Sequence, residues 1–136
     1  MNPANEKCVM ILDERLSSGI VANVAAILGV TLGQRRPEVV GMDVTDGSGS
    51  LHAGIIQFPI PILRASAEQL RSIRERLDGS LTALDFSDLA QNCRTYAEYI
   101  ARMADVSEQQ LNYLGLALCG DRKRINKLTG NLPLLR

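Results

Sequence analysis

The sequence predicts a single α/β domain over residues 1–136, a three-layer fold with a mixed or mostly parallel sheet of four to five strands and helices on both faces. Three observations predict it. Short apolar runs alternate with helix-period segments along the chain, with no internal repeat and no linker between them. Hydrophobic residues make up 46% and charged residues 22%, enough apolar material for a core that needs no disulfide or metal. The first elements read as strand, tight turn and buried helix, the opening of a βαβ unit.

Lys7 to Leu12 is a continuous apolar run ending in Asp13-Glu14-Arg15, which suits a central strand covered on both faces. Ser17 or Ser18 caps a helix whose apolar positions Ile20, Val21, Val24, Ile27 and Leu28 spread too widely for a surface helix, so it is expected to be largely buried. Ala22, Ala26 and Gly29 allow close approach to the sheet, and Gly33 supplies a stop. Val39 to Val44 reads as a second strand and Asp46 to Ser50 as the loop after it. Within Ile55 to Leu63, Pro59 and Pro61 remove ladder donors and predict an edge or bent strand. Ser66 to Leu77 carries a capping box from Ser66 to Gln69 and stops at Gly79. Leu81 to Phe86 is a further brief strand. From Ser87, the spacing of Leu89, Cys93, Tyr96, Ile100 and Met103 predicts one helix of about four turns with a single apolar seam. Tyr113 to Cys119 alternates small residues with Leu, and reads as a buried strand despite the capping pattern at Ser107 to Gln110.

The 15 basic and 15 acidic residues balance, which excludes a globally basic nucleic-acid binder or an acidic tail. The balance is uneven along the chain: residues 1–60 and 61–120 each carry −2, and residues 121–136 carry +4. That basic end either docks on its own acidic body or meets a partner's phosphate. Cys8, Cys93 and Cys119 follow no zinc or dithiol spacing; as an odd set without a secretion signal they point to a reducing cytoplasm and to packing as small hydrophobes. No stretch is long and apolar enough for a membrane span. Neither a metal nor a cofactor is called for: Asp43 to Gly47 lacks the third acidic position and the closing Glu of a calcium loop, and His52, the only histidine, has no nucleophile turn to serve.

Ligands of open α/β sheets bind beyond the carboxyl ends of strands. At the first strand-to-helix turn, an anion is expected to accept N–H bonds at Ser18 and Gly19 beside the Ser17 hydroxyl, while Arg15 neutralises its charge. An ordinary capped turn satisfies the same N–H groups. Arg122, Lys123 and Lys127 follow the last strand and are expected to reach the same sheet end. Tyr99 at the rim of its helix is available to stack on a base or to cover the sheet.

Lys7, Val9, Leu16, Gly19, Ile20, Ala22, Asn23 and Ala25 form a pattern that resembles the start of the peptidyl-tRNA hydrolase II fold, and Leu116-Ala117-Leu118-Cys119-Gly120 is similar to its closing strand. Over nearly its full length, including the ending from Lys127 to Arg136, the chain resembles a small bacterial family of unknown function grouped with those folds. The resemblance implies catalytic roles for Lys7, Asn23 and Asp85, with Asp85-Phe86-Ser87 standing where the hydrolases carry Asp-Ala-Gly-x-Thr and Thr95 lying along a helix. Gly19 and Ala26 occupy positions where the hydrolases have Lys and His. With both polar groups missing, the expected function is binding of an anionic small molecule or nucleotide-like group; the alternatives are hydrolysis of an acyl or ester bond, on an RNA end or a related substrate, and a non-enzymatic homodimeric module. Extended nucleic-acid or membrane partners are not expected.

Overall fold

A computed structural model of the chain describes residues 2–136. In chain order the elements are β1 (Glu6–Asp13), α1 (Ser18–Arg35), β2 (Val44–Thr45), β3 (Leu51–His52), β4 (Ile62–Ala65), α2 (Ala67–Glu75), β5 (Thr82–Ser87), α3 (Asp88–Gln91), α4 (Tyr96–Ala104), β6 (Tyr113–Asp121) and α5 (Arg122–Thr129). The main sheet has four strands in the order β4-β1-β6-β5. β1 pairs parallel with β4, while β6 runs antiparallel to both β1 and β5, so the sheet is mixed.

Alternation along β1 divides the core into two layers. Met10 and Leu12 point to one face, where Val24 and Leu28 of α1 close over them with Ala117. Val9 and Ile11 point to the other, against Leu70 and Ile73 of α2 and Ile125 and Leu128 of α5. These apolar side chains are at most 4% exposed, and each one larger than alanine stabilises by about 1.5–3 kcal/mol on leaving water. The expected three layers are present.

α1 starts at the expected serines, with Ser17 at its cap, but it is not largely buried: only Val24, Leu28 and Leu32 are, and Val30 is 77% exposed. A single helix on this face meets the sheet along one stripe, which leaves the rest of its apolar circumference uncovered. Gly33 does not stop it; the helix continues to Arg35 because glycine tolerates helical backbone.

The expected second strand over Val39 to Val44 does not join the sheet. Pro37–Val39 forms a 3-10 turn that buries Val39, and Val44 and Thr45 pair only with His52 and Leu51 in a small separate hairpin. Asp46 holds its loop, accepting from the Ser48 and Ser50 amides and bonding His52 Nε2 at 2.7 Å. Of the strand expected over Ile55 to Leu63 only Ile62 and Leu63 fall in β4, an edge strand; Pro59 and Pro61 lie before it, since residues without an amide donor do not extend the ladder. The chain's own end then closes that edge: Leu134 bridges Leu63, the Arg64 amide donates to Pro133, and the Leu135 amide donates to Ile62.

α2 has its capping box, with the Gln69 amide on Ser66 Oγ at 3.1 Å and the Ser66 amide on Gln69 Oε1 at 2.9 Å. Gly79, at φ 86°, turns the chain into β5 in a conformation that a side chain disfavours. The single helix expected from Ser87 is instead two, α3 and α4, broken at residues 92–95. Tyr96 and Ile100 of the expected apolar seam are 74% and 59% exposed.

The cysteines also differ from expectation. Cys8 and Cys119 stand opposite each other in the β1–β6 register, fully buried, and are joined as a disulfide that leaves Cys93 as the free thiol. With a sequence separation of 111, no local spacing announces the pair. The odd count is therefore one pair plus one thiol and does not indicate a compartment. Among the described residues no helix is long and apolar enough to cross a membrane.

Candidate functional site

The three residues assigned catalytic roles do not meet. Lys7 shares a face with Val9 and Ile11, and its ammonium donates to Asn126 Oδ1 of α5 at 2.9 Å. Burial lowers the Lys7 pKa, and the charge of Arg122 lowers it further. Asn23 is exposed on α1, across the sheet from Lys7. Asp85 shares the face of Lys7, but it pairs with Leu116 where Lys7 pairs with Gly120, four residues along β6 and two strands away. Strand geometry makes that separation about 16 Å.

The first turn and the basic end lie apart as well. β6 runs antiparallel to β1, so the chain leaves it where β1 begins, at the opposite end of the sheet from Arg15, Ser17, Ser18 and Gly19. The residues expected to be a basic tail form α5. Arg122 donates from its amide to Asn5 and from its guanidinium to Pro3, while Arg124 donates to the Arg76 carbonyl and pairs with Asp78 at 3.6 Å. Half of the positive cluster is thus docked on the chain's own body, and Lys123 and Lys127 are exposed.

At the first turn, Asp13 is buried and accepts from the Arg15 amide and from its guanidinium at 2.9 Å. Burial alone would raise this carboxyl; the Arg15 hydrogen bonds and charge outweigh it and hold it below the ordinary carboxylate range. Arg15 is committed to Asp13, though still 74% exposed. The Ser17 side chain makes no capping bond.

A cleft of about 440 Å3 gathers the polar groups elsewhere, along the outer edge of β5. Ile27 and Thr31 of α1 form one wall, Ala90 and the segment from Cys93 to Tyr96 with Tyr99 the other, and Asp85 and Phe86 lie between. Asp85 and Phe86 are consecutive in a strand, so their side chains point to opposite faces. A cleft touching both must run along the edge of the strand and not over either face.

Local sequence builds the second wall. Ser87 Oγ caps α3 by accepting from the Ala90 amide, and the β5–β6 register shifts between Phe86 and Ser87. After the break, Thr95 Oγ1 accepts from the Glu98 amide at 3.1 Å while the Arg94 amide donates to Glu98 at 3.0 Å, fixing the start of α4. Thr95, expected partway along a helix, is the cap of a new one and lines the same cleft as Asp85. The T-x-x-E pattern of Thr95 and Glu98 is the signal that marks this start. Arg94 is exposed, and its guanidinium has no hydrogen bond or ion pair among the described residues. The Tyr96 and Tyr99 rings lie 5.5 Å apart at 59°.

The Asp85 side chain is 32% exposed and sits 3.7 Å from Arg74 Nε. Burial raises its carboxyl above the ordinary value; the Arg74 charge opposes this and Glu108 adds to it. Burial and the Asp85 charge likewise raise the Tyr99 phenol. The cleft therefore combines an apolar floor, aromatic faces, an unpaired guanidinium and a carboxyl that holds its proton more tightly than usual. Among the described residues no group of three His, Cys, Asp or Glu side chains could hold a metal ion.

Comparison with curated proteins finds no match. A solved structure of a protein of unknown function from Agrobacterium tumefaciens is similar, with a TM-score of 0.87 at 25% identity, covering 96% of this chain and 97% of that one. The model of a family described as "Protein of unknown function (DUF2000)" matches residues 6–136, and the chain belongs to the DUF2000 family.

Proposed function

We propose that the protein binds a small molecule pairing an apolar or aromatic body with an anionic group, a class that includes nucleotide-like ligands, in the cleft at the β5 edge. The observation that carries this reading is Arg94, its guanidinium unpaired among the described residues, in the lining of a cleft it shares with Ile27, Phe86, Tyr96 and Tyr99. An aromatic body stacks on the tyrosines, and the anion neutralises Arg94. This keeps the ligand chemistry expected from the sequence and moves it from the first turn, where Arg15 already serves Asp13. Titration with adenosine and uridine 5′-monophosphate against phosphate alone tests it by thermal shift. Nucleotide-dependent stabilisation that Arg94→Ala removes is the expected result; no shift, or a shift that survives Arg94→Ala, refutes it.

A second reading has one observation behind it. Asp85, held above the ordinary carboxylate range by burial, shares its cleft with Thr95, and such a carboxyl suits general acid–base work on an acyl or ester bond. Turnover of acylated tRNA by pure protein, abolished in Asp85→Asn, would favour it over simple binding.

A further inference from the structure

We infer that the occupant of the β5 cleft is an extended peptide that adds to the sheet as a fifth strand, with an acidic side chain set against Arg94. This goes beyond the small-molecule reading and shares with it only the cleft and the Arg94 charge, which a carboxylate side chain engages in place of a ligand's anion.

The two edges of the sheet differ. At β4 the chain closes its own edge with the segment around Leu134. At β5 the only strand partner among the described residues is β6, and no other backbone group bonds Ala83 to Phe86. An edge strand directs alternate N–H and C=O groups outward, and native proteins ordinarily cover or blunt such a row. The cleft opens onto this row at Asp85 and Phe86, between α1 on one side and the residues from Ala90 to Tyr99 of α3 and α4 on the other. Strand addition into a helix-flanked edge is a recurring mode of peptide capture: main-chain bonds supply affinity, and flanking pockets read alternate side chains.

The flanks define the chemistry. Ile27 on α1 and Tyr96 on α4 line the cleft from opposite sides and are 37% and 74% exposed, and Val30 and Ile100, 77% and 59% exposed, extend the apolar surface of the same two helices. Charge sets the register. A carboxylate placed opposite Asp85 is repelled, whereas one placed at the carboxyl end of β5 meets Arg94. In an antiparallel added strand, that end receives the peptide's amino-terminal residues. The partner is thus an extended segment with an acidic residue first and apolar or aromatic residues at alternate positions after it.

The test uses the full chain and a fluorescent hexapeptide of sequence Asp-Phe-Thr-Val-Thr-Val, capped at both ends, with two controls: the same peptide with Lys in place of Asp, and one N-methylated at alternate backbone amides. Saturable binding is expected, weakened about tenfold or more by either change and by Arg94→Ala, with amides of β5 gaining protection from hydrogen exchange. Equal affinity of the N-methylated peptide, or no peptide binding by a protein that still binds nucleotide at Arg94, overturns strand addition and leaves the proposed function standing. Failure of both ligand types overturns both.

Discussion

Gly115→Ala tests how closely α1 is seated on the sheet. Gly115 lies in β6, opposite Leu12 of β1 and Phe86 of β5. A Cβ built there stands 2.7 Å from Leu12 Cδ2, 2.9 Å from Val24 Cγ1 and 3.2 Å from Leu28 Cδ1. Carbon atoms pack at about 3.5–4.0 Å, so three contacts are too short at once. The leucine methyls have little room to swing, since Leu12 is 0% and Leu28 2% exposed. Val24 has none, because a helical valine is held to one χ1 rotamer. Relief must come from displacing the helix. Overpacking costs about 1–3 kcal/mol, and three short contacts at once place this site at about 2–3 kcal/mol; the stiffer unfolded chain offsets about 0.4–1 kcal/mol, for a net loss of about 1–2.5 kcal/mol. In a domain of this size that lowers Tm by about 3–10 °C. Urea denaturation is expected to show a lower midpoint at unchanged slope. Adding Leu28→Val should recover part of the loss, with a coupling of about 0.5 kcal/mol or more in the double-mutant cycle. A Tm within about 1 °C of the parent, or strictly additive single effects, would refute the claim that α1 sits down through the missing side chain at residue 115.

Two further perturbations probe the sheet edges. The Asp85 carboxyl is raised in the folded state by burial, so the folded chain binds that proton more tightly, and its contribution to stability falls as pH rises from the ordinary carboxylate value through the raised one. Asp85→Asn should flatten that limb and leave Tm at neutral pH equal to or above the parent's; a profile parallel to the parent's across the same window would sink the assignment. Truncation after Gly130 removes the Pro133 and Leu135 backbone bonds to β4. It should lower Tm and make the protein associate with rising concentration in light scattering, and a monomer as stable as the full chain would show that the segment does not guard the edge.

The long strands β1, β5 and β6 and the helical layers are legible in the sequence because their signals are local, whereas the strand expected over Val39 to Val44 forms no part of the main sheet. KCVMIL, LTALDF and YLGLALC each read as a strand from a short local run, and Ser66 with Gln69 marks α2 in four residues. What local patterns do not encode is direction. The basic end was expected beside the first turn because alternating strands and helices suggest parallel pairing; β6 is antiparallel to β1, and its reversal sends Arg122, Lys123 and Lys127 to the far end of the sheet. The same long-range pairing brings Cys8 to Cys119. The broken helix is a different kind of miss. Leu89, Cys93, Tyr96, Ile100 and Met103 do keep helical spacing, but Thr95 and Glu98 make a cap in the middle of it, and the cap prevails over the periodicity. At the candidate site the sequence points to Asp85 and to Tyr99 but not to Arg94, because a lone arginine gains meaning only when the break turns it into the cleft.

That break has a physical origin in the strand it follows. The register shift between Phe86 and Ser87 leaves Ser87 to cap α3 at once, so β5 ends abruptly and the four residues of α3 make a single turn. Asp88 then ties this turn to the start of β6, its amide donating to the Asn112 carbonyl and its carboxylate accepting from the Asn112 side chain at 3.0 Å. With α3 pinned there, a continuous helix from Ser87 would carry Tyr96 and Tyr99 away along one fixed axis. The break at residues 92–95 lets α4 start afresh and brings the two rings back beside Asp85. The cost is the exposed apolar surface of Tyr96 and Ile100, which a helix packed along its seam would have buried. Left open beside an unpaired strand edge, this surface gains nothing in the isolated chain, and an occupant of the proposed kind would bury it.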